Sequence, residues 1–305
     1  KKEDFLQESD IKTFPKTKCV PEEVIQPDKK ILNWKRLLNR FFHSMYNDKI
    51  IYEISIYKSL YKIKCKPPLK SNKRDVNEIS KKLNADGVCI IRNYFSKTYV
   101  NKIKDKVIKE FSKLERTGKV ANGCKFYLNK DDPVSRIMNL HNVIPETSEF
   151  FFDSFLEEVM RATYSESLVK HQFMVDRRKG SAKTTATDCW HFDEPSSIFK
   201  LKTFLLLNDV TKKNGPFKYI PKTHKTGPWR NKKEAEQIAY AEDLDYGHYT
   251  PVHIKSLKRK FNFKEMICTG KAGDLIIFDG SGIHSSSIIE SGERYILSTY
   301  YEVPN

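Results

Sequence analysis

Two histidines and an aspartate define the chemistry open to this chain. In the stretch Cys189-Trp190-His191-Phe192-Asp193 the two ligand-type residues stand two positions apart. An extended strand sends alternate side chains to one face, so His191 and Asp193 point together while Phe192 points into the opposite layer. A third candidate, His284, follows the turn Ala272-Gly273-Asp274 and the apolar run Leu275-Ile276-Ile277-Phe278, which reads as a strand. Two imidazoles and one carboxylate on one side of a metal suit non-haem Fe(II) and leave positions open for a co-substrate and O2. Ten positions on, Arg294 enters another strand on the same face as Ile296 and Ser298. Its guanidinium fork there could clamp a dicarboxylic acid through two hydrogen bonds, which lysine does less well.

These residues need strands to hold them, and the second half of the chain supplies many. His171 to Val175, Thr203 to Leu207, Ile220, Met266 to Cys268, Leu275 to Phe278 and Tyr295 to Tyr301 are short apolar segments separated by Gly, Pro and Asn turns. That pattern predicts a double-sheet jelly roll. The first half is helical. Apolar residues at 76, 79 and 83 predict a helix over 75–84, stopped at Ala85-Asp86-Gly87 before a strand, Val88 to Arg92. Ser96 is placed to cap a helix running to Glu115 with Val100, Ile103, Val107, Ile108 and Phe111 inward, and a further helix is expected over 150–164. The fold class is therefore α+β, a double-stranded β-helix (jelly-roll, cupin-like) core flanked by α-helices.

Lys66-Pro67-Pro68 followed by Ser71-Asn72-Lys73-Arg74 marks a boundary. It separates a basic, partly helical N-terminal extension, 1–75, from a domain over 76–305. The extension holds 18 basic and 10 acidic residues, half of the chain's net charge of +16. Within 31–45, Ile31, Trp34, Leu38, Phe41 and Met45 recur at helical spacing beside Lys35, Arg36 and Arg40. Such a helix could dock on the following domain or make weak peripheral contact with an acidic membrane. An insertion over 222–264 carries a basic run, 255–260, and is expected to act as a lid.

With 305 residues and 39% hydrophobic content the chain can bury a substantial core. The positive charge favours anionic partners without naming one. No basic stretch interleaved with stacking aromatics forms a nucleic-acid motif, so nucleic acid is not the expected partner. The six cysteines show no Cys-x-x-Cys pairing and are expected to be reduced thiols, with cytoplasmic localisation. No apolar run is long enough to span a membrane, and the first residues form no signal peptide.

Taken together, His191-x-Asp193, the segment Asn214-Gly215-Pro216-Phe217-Lys218-Tyr219-Ile220-Pro221-Lys222-Thr223-His224, the Gly273-Asp274 strand leading to His284, and the late Arg294 resemble the phytanoyl-CoA dioxygenase family of Fe(II)/2-oxoglutarate oxygenases. The resemblance runs from about Val76 to the C-terminus. It implies His191, Asp193 and His284 as catalytic metal ligands for Fe(II), and Arg294 as the anchor of the far carboxylate of 2-oxoglutarate. Ser286 and Ser298 could donate to that carboxylate, Gln172 matches a glutamine the family often carries, and Thr203 could reach the co-substrate from its strand. His224 falls in a family scaffold element and not among the ligands. Arg177, Arg178, Lys179 and Arg230 could receive an anionic substrate at the mouth, or belong to solvated loops.

The implied reaction consumes O2 and releases succinate and CO2 while oxidising an unactivated C–H of a small, anionic metabolite or carrier-linked acid. Hydroxylation is the expected outcome. Family halogenases replace the carboxylate by a small residue, and Asp193 retains it; desaturation or oxidative cyclisation would start from the same hydrogen abstraction. Readings of another class are a non-catalytic metal-binding sensor of cupin type and a nucleic-acid-associated protein.

Overall fold

The computed structural model describes residues 76–121, 123–128, 133–164, 169–180, 188–193, 199–224, 248–249 and 251–302. The expected extension over 1–75, with its amphipathic stretch, lies outside them, as does Arg230.

Helix α1 (Val76–Asp86) ends at Gly87, whose φ of +74° is one that L side chains rarely adopt. Strand β1 (Val88–Ile91) leads to α2 (Lys97–Thr117). The Ser96 hydroxyl caps α2 by accepting the Tyr99 N–H, and Gly118, in the left-handed region, closes it onto the Leu114 carbonyl. Val100, Ile103, Val107, Phe111 and Leu114 are fully buried along one stripe of α2, each such burial contributing roughly 1.5–3 kcal/mol. Ile108, expected inward, lies at the stripe's edge and is 37% exposed.

Strands β2 (Lys125–Leu128) and β3 (Val134–Met138), two short 3-10 turns, α3 (Ser148–Phe151) and α4 (Ser154–Tyr164) follow. The single helix expected over 150–164 is broken because the Asp153 carboxylate accepts the Phe155 N–H and starts α4 afresh.

The remaining elements are β4 (Val169–Lys179), β5 (Trp190–His191), β6 (Phe199–Leu206), β7 (Phe217–Tyr219), β8 (His248–Tyr249), α5 (Pro251–Phe261), β9 (Met266–Cys268), β10 (Leu275–Asp279), β11 (His284–Ser285) and β12 (Glu293–Glu302). They make two sheets. The larger runs β1-β10-β6-β12-β4-β3-β2 and the smaller β8-β5-β11-β7-β9, each through antiparallel pairs.

Period-2 alternation gives the larger sheet two buried faces. Leu201 and Leu205 of β6, Leu275 and Ile277 of β10 and Leu297 of β12 share one cluster with the buried faces of α2 and α4. The residues between them, Leu206, Ile276, Phe278 and Ile296, pack against Phe217, Tyr219 and Cys268 of the smaller sheet. The Phe217 and Phe278 ring centroids are 4.3 Å apart across that interface. This is the expected jelly roll flanked by helices, with α2 and α4 against the larger sheet.

Of the 222–264 insertion expected to act as a lid, residues 222–224, 248–249 and 251–264 are described. Ile254 and Leu257 of α5 pack with Phe192, Ile220 and Ile283. Phe192 alternates with His191 and Asp193, so α5 covers the back of the segment that carries them. Cys89, Cys124 and Cys268 are free thiols, whereas Cys189 is disulfide-bonded, which departs from the expectation of six reduced cysteines. No described helix is long and apolar enough to cross a membrane.

Candidate metal centre

His191 and His284 meet as a cross-strand pair of β5 and β11, with ring centroids 4.3 Å apart. Asp193 leaves β5 but is tethered at its backbone, where its N–H donates to the Gly280 carbonyl at 2.8 Å. One ligand atom from each of His191, Asp193 and His284 lies within 4.8 Å of the others, a spacing that could hold a metal ion.

Each imidazole is fixed by its own chain. His191 Nδ1 is 2.9 Å from the Cys189 carbonyl and His284 Nδ1 is 2.8 Å from the Gly282 carbonyl. A carbonyl can only accept, so the proton resides on Nδ1 and Nε2 presents its lone pair to the centre. Burial lowers the pKa of His284 despite the nearby Asp193, which favours the neutral ring that metal ligation would require. Phe217, Phe278 and Tyr219 surround the His284 ring at centroid distances of 5.6, 5.4 and 6.4 Å and shield it from water.

The turn from β10 in one sheet to β11 in the other leaves no room for a side chain at position 282. A Cβ at Gly282 would lie 1.9 Å from the Tyr219 hydroxyl, which itself donates to the Asp279 carbonyl. A Cβ at Gly87 would lie 2.4 Å from the same hydroxyl. Tyr219 thus gathers three passes of chain behind His284.

One neighbour of the centre was not foreseen. The Lys202 ammonium, 2.7 Å from both oxygens of Asp193, donates to Oδ1 and lies 4.4 Å from the centroid of the Tyr300 ring. Burial alone would raise the Asp193 pKa; Lys202 outweighs it and holds the carboxyl below its usual value. Burial would likewise lower Lys202, but Asp193 more than offsets this.

Arg294 projects from β12 between the sheets, 8% exposed. Its Nη1 donates to the Gly215 carbonyl, its Nη2 reaches the Ser286 hydroxyl at 3.5 Å, and its Nε has no partner. Burial, with Arg178 alongside, brings its pKa down to about 10, so it remains a cation at neutral pH. A buried guanidinium with an unused N–H and no carboxylate bonded to it is suited to a carboxylate ligand. Ser298, on the same face, donates to Asp176 Oδ2 at 2.8 Å, and Asp176 also pairs with Arg136 at 2.6 Å.

Other expected residues fall elsewhere. Thr203 is fully buried on the helix-facing side of β6, between Leu201 and Leu205, with its hydroxyl near the Thr299 carbonyl, so the side of β6 that faces Asp193 carries Lys202 instead. Arg177 and Lys179 do not sit in a mouth loop, because β4 stays paired with β3 and β12 through this stretch. Arg177 lies under Phe111 and pairs with Glu115, and Lys179 pairs with the same carboxylate. Arg178 is buried between the sheets beside Arg294. Gln172 stands on β4 in register with Tyr300, and its side chain is outside the described set. His224 is buried, with Nε2 3.1 Å from the Asn84 carbonyl of α1.

Similarity to known proteins agrees with this architecture. No curated protein sequence matches the chain. Among solved structures, the epimerase SnoN in complex with Fe3+, alpha ketoglutarate and nogalamycin RO is 11% identical, with a TM-score of 0.51 over 75% of this chain and 83% of its own. The alpha ketoglutarate dependent carbocyclase SnoK is 16% identical, with a TM-score of 0.53 over 78% and 87%. EctD from S. alaskensis with 2-oxoglutarate and 5-hydroxyectoine is 20% identical, with a TM-score of 0.52 over 79% and 83%. These likenesses establish the fold. Residues 83–294 match the phytanoyl-CoA dioxygenase (PhyH) family, and the chain belongs to that family.

Proposed function

We propose that this protein is an Fe(II)/2-oxoglutarate-dependent dioxygenase that hydroxylates an unactivated C–H of a small anionic molecule. The observation that carries the reading is the convergence of His191, Asp193 and His284 within 4.8 Å, next to the buried Arg294. Two imidazoles and a carboxylate match the donor set of an open Fe(II) site, and the unused N–H of Arg294 matches the distal carboxylate of 2-oxoglutarate. When bound, iron and 2-oxoglutarate together supply the O2-dependent oxidation, which releases succinate and CO2.

The chain's own residues then have separate tasks. The Cys189 and Gly282 carbonyls hold the imidazoles in the ligating tautomer. Lys202 orients Asp193. Arg294, with Ser286 beside it, fixes the co-substrate by the end remote from the metal. The aromatic wall around His284 excludes water. The chain's net charge of +16 supports an anionic substrate.

The test is an anaerobic titration of the protein with Fe(II) and 2-oxoglutarate, followed by the visible charge-transfer band of the chelate. The band is expected in the wild type and absent in His191→Ala. Succinate release on admitting O2 then identifies substrates. A gain of one oxygen atom in the product supports hydroxylation, and a loss of two hydrogens assigns the same site to desaturation or ring closure. No band in the reduced wild-type protein would overturn the proposal.

A further inference from the structure

The larger sheet places two arginines face to face. Arg294 of β12 and Arg178 of β4 are register partners, so their side chains leave the sheet on the same side, into the space between the layers. They are 8% and 2% exposed. Two guanidiniums brought together away from water repel each other, and Arg178 is a principal reason, after burial, that Arg294 loses protons more readily. Asp188 answers one of the two charges, bonding Arg178 Nη2 at 2.5 Å with both side chains almost fully buried. The second charge has no such answer. Arg178 Nε and Nη1 and Arg294 Nε have no hydrogen-bond partner, although burying such donors unsatisfied costs about 1–3 kcal/mol each.

Nearby residues do not consume these donors. Asp176, one strand position pair away, is taken by Arg136 and Ser298. The Gly215 carbonyl and the Ser286 hydroxyl occupy only the Nη groups of Arg294. A pocket with two buried cations, one internal carboxylate and three idle N–H groups has the charge and the donors for one further carboxylate.

From this arrangement, and resting on the dioxygenase reading above, we infer that Arg178 is a second anchor for the distal carboxylate of 2-oxoglutarate, so that the co-substrate is held by a pair of arginines with Asp188 orienting one of them. Arg178 is then a co-substrate-binding residue on the strand before the metal strand, and not a receptor for the primary substrate. The arrangement favours a 2-oxo acid with a second carboxylate over one ending in a methyl group, because only the former satisfies the idle donors.

The experiment compares wild type, Arg178→Lys and the pair Arg178→Met with Asp188→Asn, each loaded anaerobically with Fe(II). Arg178→Lys keeps a cation for Asp188 but loses the fork; the double change removes both charges of the ion pair, so neither variant leaves Asp188 ionised without a partner. Each is titrated with 2-oxoglutarate and with 2-oxovalerate, which lacks the distal carboxylate, and the charge-transfer band is read. The expected result is a fall in 2-oxoglutarate affinity on the order of tenfold, the scale of one lost charge-assisted hydrogen bond, with 2-oxovalerate binding unchanged. Superimposable 2-oxoglutarate curves in wild type and both variants would overturn the inference. An equal loss for both acids would also overturn it, because that assigns Arg178 a structural role in holding β5 through Asp188. Failure of the dioxygenase reading is distinguishable, since wild type itself would then give no band with either acid.

Discussion

Replacing Lys202 by methionine leaves Asp193 beside two imidazoles without the ammonium that holds it. Breaking a buried pair from one side costs about 3–5 kcal/mol, and less here because the two side chains are 11% and 17% exposed. Lys202→Met is therefore expected to lower the thermal midpoint of the metal-free protein, and saturating Mn(II) should recover most of the loss by supplying the missing positive charge. Circular dichroism melts with and without the ion check this; an equal loss in both would deny Asp193 its place at the metal. The sequence made His191, Asp193, His284 and Arg294 legible because alternation and order along the chain mark them. It hid Lys202, because Phe199-Lys200-Leu201-Lys202 reads as a strand with one wet face. Only the second sheet, laid over that face, turns Lys202 inward and Thr203 away, a difference of one residue in parity.

At the scale of elements, the turn between β10 and β11 decides whether His284 reaches His191 and Asp193. Gly282→Ala places a methyl group 1.9 Å from the Tyr219 hydroxyl and 2.4 Å from the ring carbon bearing it. The turn must then shift, and His284 with it, so Mn(II) affinity measured by calorimetry is expected to fall at least tenfold while the far-ultraviolet spectrum is retained. A second element contact is sensitive to acid. Glu146, in the 3-10 turn before α3, receives Lys106 and Lys102 of α2, the latter at 3.3 Å. Lys106 foremost holds its pKa down to about 2, against an ordinary value of 4.5. A depressed folded pKa gives stability that is complete above the ordinary value and lost as pH falls through the folded one. Glu146→Gln is thus expected to lower the urea midpoint at pH 7, with the gap to wild type closing between pH 4.5 and about 2. The long, capped α2 and the apolar strands β10 and β12 could be read from periodicity. Strands β8 and β11, two residues each, carry no period, and β2 and β3 lie in a stretch that reads as loop; their partners alone define them.

The whole molecule divides the work of binding between its layers. His191 and His284 stand on the smaller sheet and Arg294 on the larger. A molecule held at once by the metal and by Arg294 bridges the two sheets. Mn(II) and 2-oxoglutarate added together are accordingly expected to raise the unfolding temperature by more than the sum of their separate effects, and Arg294→Ala should abolish the excess while sparing the metal's own contribution. A differential scanning measurement with each ligand alone and both together tests this. The jelly roll was legible as a class from its many short strands; which strands lie side by side was not, because the neighbours are remote in sequence. Val88 of β1 finds Phe278 of β10 nearly two hundred positions later, and β12, at the end of the described chain, is inserted between β6 and β4. On the ribosome the helical half and the first strands must therefore wait, with their apolar faces unmatched, until the last strands emerge. Long-range pairing of this kind makes for slow folding and for exposure to aggregation meanwhile. Under the dioxygenase reading, iron can be loaded only after His284 and the strands around it have emerged, and yield in a foreign host should respond to growth temperature and chaperone supply before it responds to iron in the medium.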